Sequence, residues 1–424
     1  MAATTDPVGT TWSGTYTFRA AQRVQPTSVD DLARVVSNAS AVKVLGSGHS
    51  FNSIADSEHG VQVDLSVMVG PPVLSTDRTY VEVDAAMTYG ALVPFLVAAD
   101  LALANLASLP HITIAGSVAT GTHGSGVHQP GLSQAVLAIQ LLRSDGPLRW
   151  YDRTDPTFDA MVVSLGALGI VTKLRLAVLP TFRICQDTYQ GITWSQLIDS
   201  LDTVLESAYS VSVFSRWTGQ GPDHILCKSR VGAGFSRPAL PHTRRVDQTL
   251  HPAWVSGESN QKVTEQAGVP GLWSDRLPHF KLGFTPSSGQ EIQSEFFVPR
   301  AAGPAAVAAL REIGHLISPA LIISEIRAVA ADTQWLSPAS NRDSVALHFT
   351  WAPDIPAVLS AVDAVQRALS DLDVRPHWGK VFTYPGRLDA HYPRLNDFDA
   401  LRRRMDPTDT FANDFIRRHV ALAN

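Results

Sequence analysis

Cysteine is almost absent from this chain. Two thiols, Cys185 and Cys227, among 424 residues exclude a disulfide framework, a multi-thiolate zinc site and an iron–sulfur cluster. Charge is also scarce. Only 17% of residues are Asp, Glu, Lys or Arg, and the net charge is −5, so no basic footprint for nucleic acid is present. Long apolar runs are missing as well. The most apolar stretch, Tyr89 to Leu109, is interrupted by Pro94, Asp100 and Asn105 and reads as a buried helix running into a loop, not as a membrane span. Met1 to Ala20 carries no basic patch followed by an apolar core, so no signal peptide is expected. These absences describe a soluble cytoplasmic protein, expected to be a monomer, with neither membrane nor nucleic acid as a partner.

Two loops rich in Gly, Ser and Thr stand out. The first, Gly46-Ser47-Gly48-His49-Ser50-Phe51-Asn52, follows the apolar run Val42, Val44, Leu45. The second follows an Ala/Leu-rich helix and runs from Ser108-Leu109-Pro110-His111 to Gly116-Ser117-Val118-Ala119-Thr120-Gly121-Thr122-His123-Gly124. Glycine lets main-chain N–H groups close on a ligand, and consecutive N–H groups form an anion nest. Two such loops in one half of the chain imply an extended, phosphate-bearing cofactor gripped at more than one place. Neither is a common nucleotide fingerprint. No Lys follows as in a P-loop, and no third glycine completes Gly-x-Gly-x-x-Gly. His-Glu-x-x-His and Gly-x-Ser-x-Gly are also missing, and the 14 histidines are dispersed, so no metal site is expected.

The length suggests two or three domains. Ser28-Val29-Asp30-Asp31 has capping-box spacing and predicts a helix to about Ser37 with Val29, Leu32, Ala33 and Val36 on one face. Val42–Leu45 predicts a buried strand, whereas alternation makes Gln62–Leu65 and Tyr80–Asp84 half-buried strands. Ala135–Leu142 and Ile170–Leu176 complete a β-rich first half. In the second half, Ser236 to Ser288 lacks periodicity and predicts long loops around a site. Gly303–Leu316 and Pro356–Leu372 predict helices.

The two loops, followed by Ser164-Leu165-Gly166-Ala167-Leu168-Gly169-Ile170-Val171-Thr172, resemble the FAD domain of the vanillyl-alcohol oxidase superfamily. Three later pieces, Ser324-Glu325-Ile326-Arg327, Ala346-Leu347-His348-Phe349-Thr350-Trp351 and Pro376-His377-Trp378-Gly379-Lys380, are similar to those of the alditol oxidases within it. The resemblance spans about Thr17 to Phe415. It implies an α+β, two-domain flavoprotein: a PCMH-type FAD domain over 1–180, a substrate domain over 181–405, and a tail over 406–424 returning to the FAD domain. It further implies FAD attached covalently through His49. Val44, Leu45, Gly46, Ser47, Gly48, Ser50, Ser108, Thr113, Gly116, Ser117, Val118, Ala119, Gly121, Ile170, Val171 and His377 would be further cofactor contacts. The implied reaction takes the terminal hydroxyl of an alditol such as xylitol or sorbitol to the aldose, with hydride passing to flavin N5 and O2 becoming H2O2. The alternatives are an aldonolactone oxidase or dehydrogenase of the same superfamily, and a carbohydrate-binding relative without redox activity.

Read alone, His49 is a histidine in a turn; the resemblance makes it a neutral imidazole that bonds the flavin C8 methyl. Gly48 departs from the family, where a bulkier, often basic residue is expected before the histidine. Ser108 either ends a helix or, by resemblance, touches flavin and substrate, and the small Ala107 beside it would leave oxygen a path. Glu325 and Arg327 alternate onto one strand face, as do His348 and Thr350. Patterning alone leaves open whether the charges form a solvent-facing ion pair or the floor of a hydroxyl-rich pocket. Lys380, by itself a solvated cation near an aromatic, is placed by the resemblance in that pocket with Arg327. There the pair would assist loss of the hydroxyl proton, while Ser108, Glu325, His348, Thr350 and Lys380 bind the substrate.

Overall fold

The computed structural model describes residues 8–146, 148–246, 263–282 and 291–422. The chain opens on a three-stranded parallel sheet in which β3 (Val61–Val63) lies between β1 (Gln22–Val24) and β2 (Val42–Val44). Helix Val29–Asn38 joins β1 to β2 and buries Leu32 and Val36. Ser28 Oγ accepts from Asp31 N at 3.1 Å, while the Asp31 carboxylate accepts from Thr27 N at 3.0 Å instead of closing a full capping box. β3 differs from the half-buried strand that alternation predicts. All three of its residues are buried, and the Gln62 amide nitrogen donates to Ala55 O at 3.0 Å while its Oε1 is buried without a partner. A central parallel strand is covered on both faces, so polar alternation there does not report exposure.

Next come β4 (Val73–Leu74), β5 (Tyr80–Asp84), β6 (Leu101–Ala102), β7 (Val136–Leu142), β8 (Arg149–Asp152), β9 (Ile170–Ala177) and β10 (Leu179–Pro180). β6 and β10 pair with each other, and the rest form an antiparallel sheet in the order β4-β5-β9-β7-β8. β5 alternates as expected and β9 alternates beside it, with Lys173–Asp84 at 2.9 Å and Arg175–Glu82 at 3.0 Å on the outer face. The Tyr89–Leu109 stretch is a helix only over Tyr89–Ala98, and β6 precedes the second loop.

From β11 (Arg183–Gln190) onward one large antiparallel sheet is built. It comprises β12 (Ser210–Ser215), β13 (His224–Val231), β14 (Arg244–Val246), β15 (Gly271–Leu272), β16 (Ile292–Pro299), β17 (Leu321–Val329), β18 (Ser344–Trp351) and β19 (Arg375–Pro376). Its order is β14-β11-β13-β12-β17-β18-β16-β19, with β15 beside β11. Helices Trp194–Glu206, Gly303–Glu312 and Ile355–Ala368 cover one face, where Leu201, Val307 and Val362 meet Ile326, Leu347 and Phe296 in a core. The predicted single helix Gly303–Leu316 is broken at Ile313 and resumes as Gly314–Ile317. A Cβ on Gly314 would lie 2.5 Å from Trp217 O, so the break lets the chain pass that backbone closely. Within the segment predicted as loops, β14 and β15 form, and 247–262 and 283–288 lie outside the described residues.

The tail packs on the first half. Val42 N donates to Thr410 O at 2.7 Å, and Phe411 and Phe415 join the core that holds Leu32 and Val63. Asn413 caps helix Asp414–His419, accepting from Ile416 N at 3.0 Å, and its Nδ2 lies 2.8–3.1 Å from Ser53 O, Ile54 O and Asp56 O. Among the described residues no helix is long and apolar enough to cross a membrane. Asn413→Ala removes a cap and strands buried carbonyls, so denaturant unfolding should show a loss of about 2–4 kcal/mol.

Candidate active site

A cavity of about 820 Å³ is lined on one side by the two glycine loops and on the other by the polar face of the large sheet. The loops meet directly, with Thr113 N donating to Ser47 Oγ at 3.3 Å. Thr113 also explains two glycines: an added Cβ would lie 2.3 Å from its Oγ1 at Gly46 and 2.7 Å from it at Gly116. Val44, Leu45, Gly46, Ser47, Gly48, His49, Ser50, Thr113, Gly116, Ser117, Ala119, Ile170 and Val171 all line the cavity. Val118 and Gly121 do not. Val118 is 2% exposed within the apolar core, and Gly121 turns at φ +74° beside Pro338, where a Cβ would lie 2.9 Å from Pro338 Cδ.

Gly48 adopts φ +69°, a left-handed conformation, and its carbonyl accepts from Trp12 N at 2.9 Å. A Cβ there would come no nearer than 3.7 Å to Trp12 N, so backbone conformation and not space favours glycine. The turn delivers the half-buried His49 ring against Trp12, with centroids 4.8 Å apart. Burial, then Lys380 and His111, push the imidazole down to about 4. His49 is therefore neutral near pH 7 and has a lone pair available for bonding.

On the large sheet, strand register assembles the polar face. His348 stands opposite Glu325 on one side and Glu295 on the other, and Thr350 stands opposite Ile323 and Gln293. Arg327 donates to Glu295 Oε1 at 2.6 Å and lies 3.7 Å from Glu325 Oε2. His123 Nε2 is 3.1 Å from Glu295 Oε1, and His279 Nε2 is 3.0 Å from Glu325 Oε1. Burial opposes ionisation of both carboxyls, yet His123 and Arg327 hold Glu295, and Arg327 and His279 hold Glu325, well below the usual range. Burial likewise disfavours the guanidinium, but the Glu325 and Glu295 carboxylates outweigh it and raise Arg327. The paired charges resolve the choice that patterning left open: Glu325 and Arg327 face the cavity, not solvent.

Lys380 arrives from the far end of the chain. Asn52 Nδ2 donates to Trp378 O at 2.8 Å and to Lys380 O at 2.9 Å, and Phe51 N donates to Gly379 O at 2.7 Å. The half-buried Lys380 ammonium donates to Gln293 Oε1 and sits 4.8 Å from the Phe51 ring centroid, so these partners are neutral. Burial pushes it down to about 8, with Arg327 adding to the shift and Glu295 opposing it. His348 Nε2 is 3.3 Å from the same Gln293 oxygen, and burial lowers His348 to about 3. His377 lines the cavity, is pushed to about 3 by burial, and accepts from Gly379 N through Nδ1 at 3.0 Å. Ser108 and Ala107 also line the cavity, and the Ser108 carbonyl accepts from Phe280 N at 3.3 Å.

Sequence reading missed Gln293, Glu295, His123, His279 and Lys228. Gln293 and Glu295 carried a usable signal, since they repeat on β16 the same i, i+2 polar pair that marked β17 and β18. His279 and Lys228 carried none: one lies in an aperiodic segment and the other is a lone lysine in an apolar strand.

Residues 20–151 match the FAD binding domain family, and residues 287–419 match the D-arabinono-1,4-lactone oxidase family. Fold, cradle and match define the class as an FAD-dependent oxidoreductase of α+β architecture. The chain is 42% identical to an alditol oxidase from a Streptomyces species over 96% of its length and 98% of the relative's. It is 27% identical to an L-gulono-1,4-lactone dehydrogenase from Mycobacterium tuberculosis, over 97% and 99%. The cholesterol oxidase structure from B. sterolicum superposes with a TM-score of 0.75 at 15% identity, covering 99% of this chain and 97% of that one, a likeness of fold. The chain belongs to the alditol oxidase family within the vanillyl-alcohol oxidase superfamily.

The cradle fits FAD, because Gly46 and Gly116 line the cavity and let the two loops close around Thr113 where a Cβ would clash with its Oγ1. Gly46→Ala should therefore lower the flavin-to-protein absorbance ratio of the purified enzyme, and adding Thr113→Ala should restore part of it.

Proposed function

We propose that this enzyme oxidises the terminal hydroxyl of alditols such as xylitol and sorbitol to the aldose, with FAD tethered through His49. One observation carries the reading: a single cavity runs from the glycine cradle to a sheet face where Lys380, Arg327, Glu325, His348 and Thr350 converge. When bound, FAD supplies the acceptor for the hydride leaving the carbinol carbon and passes the electrons on to O2 as H2O2.

The protein's part is to remove a proton and hold a flexible chain still. Near neutral pH part of the Lys380 population is uncharged, because burial holds the ammonium at about 8. Its lone pair then accepts the hydroxyl proton. Arg327, kept charged by its two carboxylates, stabilises negative charge developing on the oxygen. Glu325 accepts from the remaining hydroxyls, and Ser108, His348 and Thr350 add hydrogen bonds that hold the reacting carbon in line. The small Ala107 leaves room for O2 to approach.

The test is oxygen consumption matched by peroxide over a panel of xylitol, sorbitol and L-gulono-1,4-lactone. Polyol oxidation without added dye is expected. Turnover of the lactone alone would make the enzyme an aldonolactone oxidase, and binding without turnover would make it a carbohydrate-binding relative.

Three outcomes follow from the residues. Acid precipitation of wild-type protein should leave the flavin with the polypeptide, and His49→Ala should release it to the supernatant. Lys380→Met should slow anaerobic flavin reduction by about a hundredfold or more, whereas Thr350→Ala should act mainly on polyol affinity, by about tenfold. The reduction rate should rise with pH and level off above about 8, as Lys380 loses its proton, and Lys380→Met should abolish that rise.

A further inference from the structure

Beside Glu325 lies a pair of residues with no part in the chemistry above. Lys228 sits in the middle of β13, 2% exposed, between β11 and β12. Its Nζ donates to Leu277 O and lies 3.4 Å from His279 Nδ1. A lysine head in this place is a donor, so Nδ1 is the acceptor and the ring hydrogen sits on Nε2, 3.0 Å from Glu325 Oε1. Burial, then Lys228, push His279 down to about 4, so the ring is neutral and presents that one N–H. Glu325 is thereby held from two directions, by His279 on Oε1 and by Arg327 beside Oε2 at 3.7 Å.

The cost of this arrangement shows that it is not filler. A buried lysine needs compensation that an apolar residue in the same strand would not, and burial already holds Lys228 at about 7. His279 itself lines the cavity, and the backbone of the next residue, Phe280, is hydrogen-bonded to the carbonyl of Ser108 at 3.3 Å. One short segment thus links two groups assigned to the substrate.

We propose that His279, held in a single tautomer by Lys228, is a positioning residue that fixes the Glu325 carboxylate in the orientation that receives the substrate's distal hydroxyls. The proposal rests on the polyol-binding role given to Glu325 above. A free carboxylate would rotate about its last bond; one anchored through Oε1 offers Oε2 in a constant direction. His279 acts through Glu325 and sets both affinity and alignment.

The test is a double-mutant cycle on the holoenzyme. His279→Gln keeps an N–H where Nε2 stood, and His279→Leu fills the space without a donor. Each is made in the wild-type and Glu325→Gln backgrounds. Xylitol binding is measured by calorimetry on dithionite-reduced enzyme, which holds xylitol without turning it over, and anaerobic flavin reduction gives affinity and limiting rate separately. His279→Leu should weaken xylitol binding by about tenfold with flavin content unchanged, and His279→Gln should stay within about threefold of wild type. In the Glu325→Gln background His279→Leu should add less than about a twofold loss. Equal impairment by Gln and Leu, or losses that simply multiply with Glu325→Gln, would overturn the proposal. Should the His279 variants lose flavin, Lys228→Met carries the same cycle: a loss confined to the Glu325 background supports the proposal, and equal loss in both refutes it. If wild type oxidises the lactone and not xylitol, the polyol reading fails alone, and the cycle is read with that lactone.

Discussion

A guanidinium between two carboxylates lets the large sheet be polar on one face without being open to water. Arg327 bridges Glu295 and Glu325, and His123, His279 and His348 are placed against those two carboxylates. Taking one such ion from water into a dry interior costs on the order of 20 kcal/mol in the idealised limit, and losing one partner of a buried pair costs about 3–5 kcal/mol. Such a trio is poor currency for stability, since packed apolar residues would do as well. Its worth is in function. It keeps a cation fully charged in a cavity whose burial drains charge from Lys380, so one end of the site holds a fixed positive group and a titratable one side by side.

The two halves contribute unlike things to this arrangement. The glycine loops supply absence: Cβ atoms missing where Thr113 leaves no room, and a left-handed Gly48 that turns His49 onto Trp12. The antiparallel sheet supplies register. Because β16, β17 and β18 pair residue against residue, Glu295, His348 and Glu325 fall in one row, and Gln293, Thr350 and Ile323 in the next. A shift of one position in any of these strands would exchange that row for Ile326, Leu347 and Phe296, which belong to the core under the helices. Apolar packing on one face thus enforces the chemistry on the other.

The legible part of the site follows from this division. Loops that need glycine announce themselves by composition, and a polar pair at i, i+2 in an apolar strand announces a face. Both were readable from His49, Gly46, Glu325 and Arg327. What pairing brings together was not readable: that Glu295 serves Arg327, or that His279 and Lys228 stand beside Glu325, depends on strand order and on an aperiodic segment. The fold class was legible through the family resemblance that the ordered motifs carry, while local misreadings have tertiary causes. Gln62 is buried because neighbours cover both faces of β3, the helix at Gly303 breaks where Gly314 must pass Trp217, and Val118 turns into the core one position away from residues that line the cavity.

The bonds from Asn52 to Trp378 and Lys380 span 326 and 328 residues, and β2, which launches the first loop, is tied at its start to Thr410. Synthesis runs from the amino terminus, so the cradle is translated long before the lysine turn and the tail that brace it. A chain still on the ribosome can hold the loops but not their clamp. The glycine cradle is thus braced only once Trp378, Lys380 and Thr410 have been added, and the first half of the chain by itself lacks the bonds that clamp its loops.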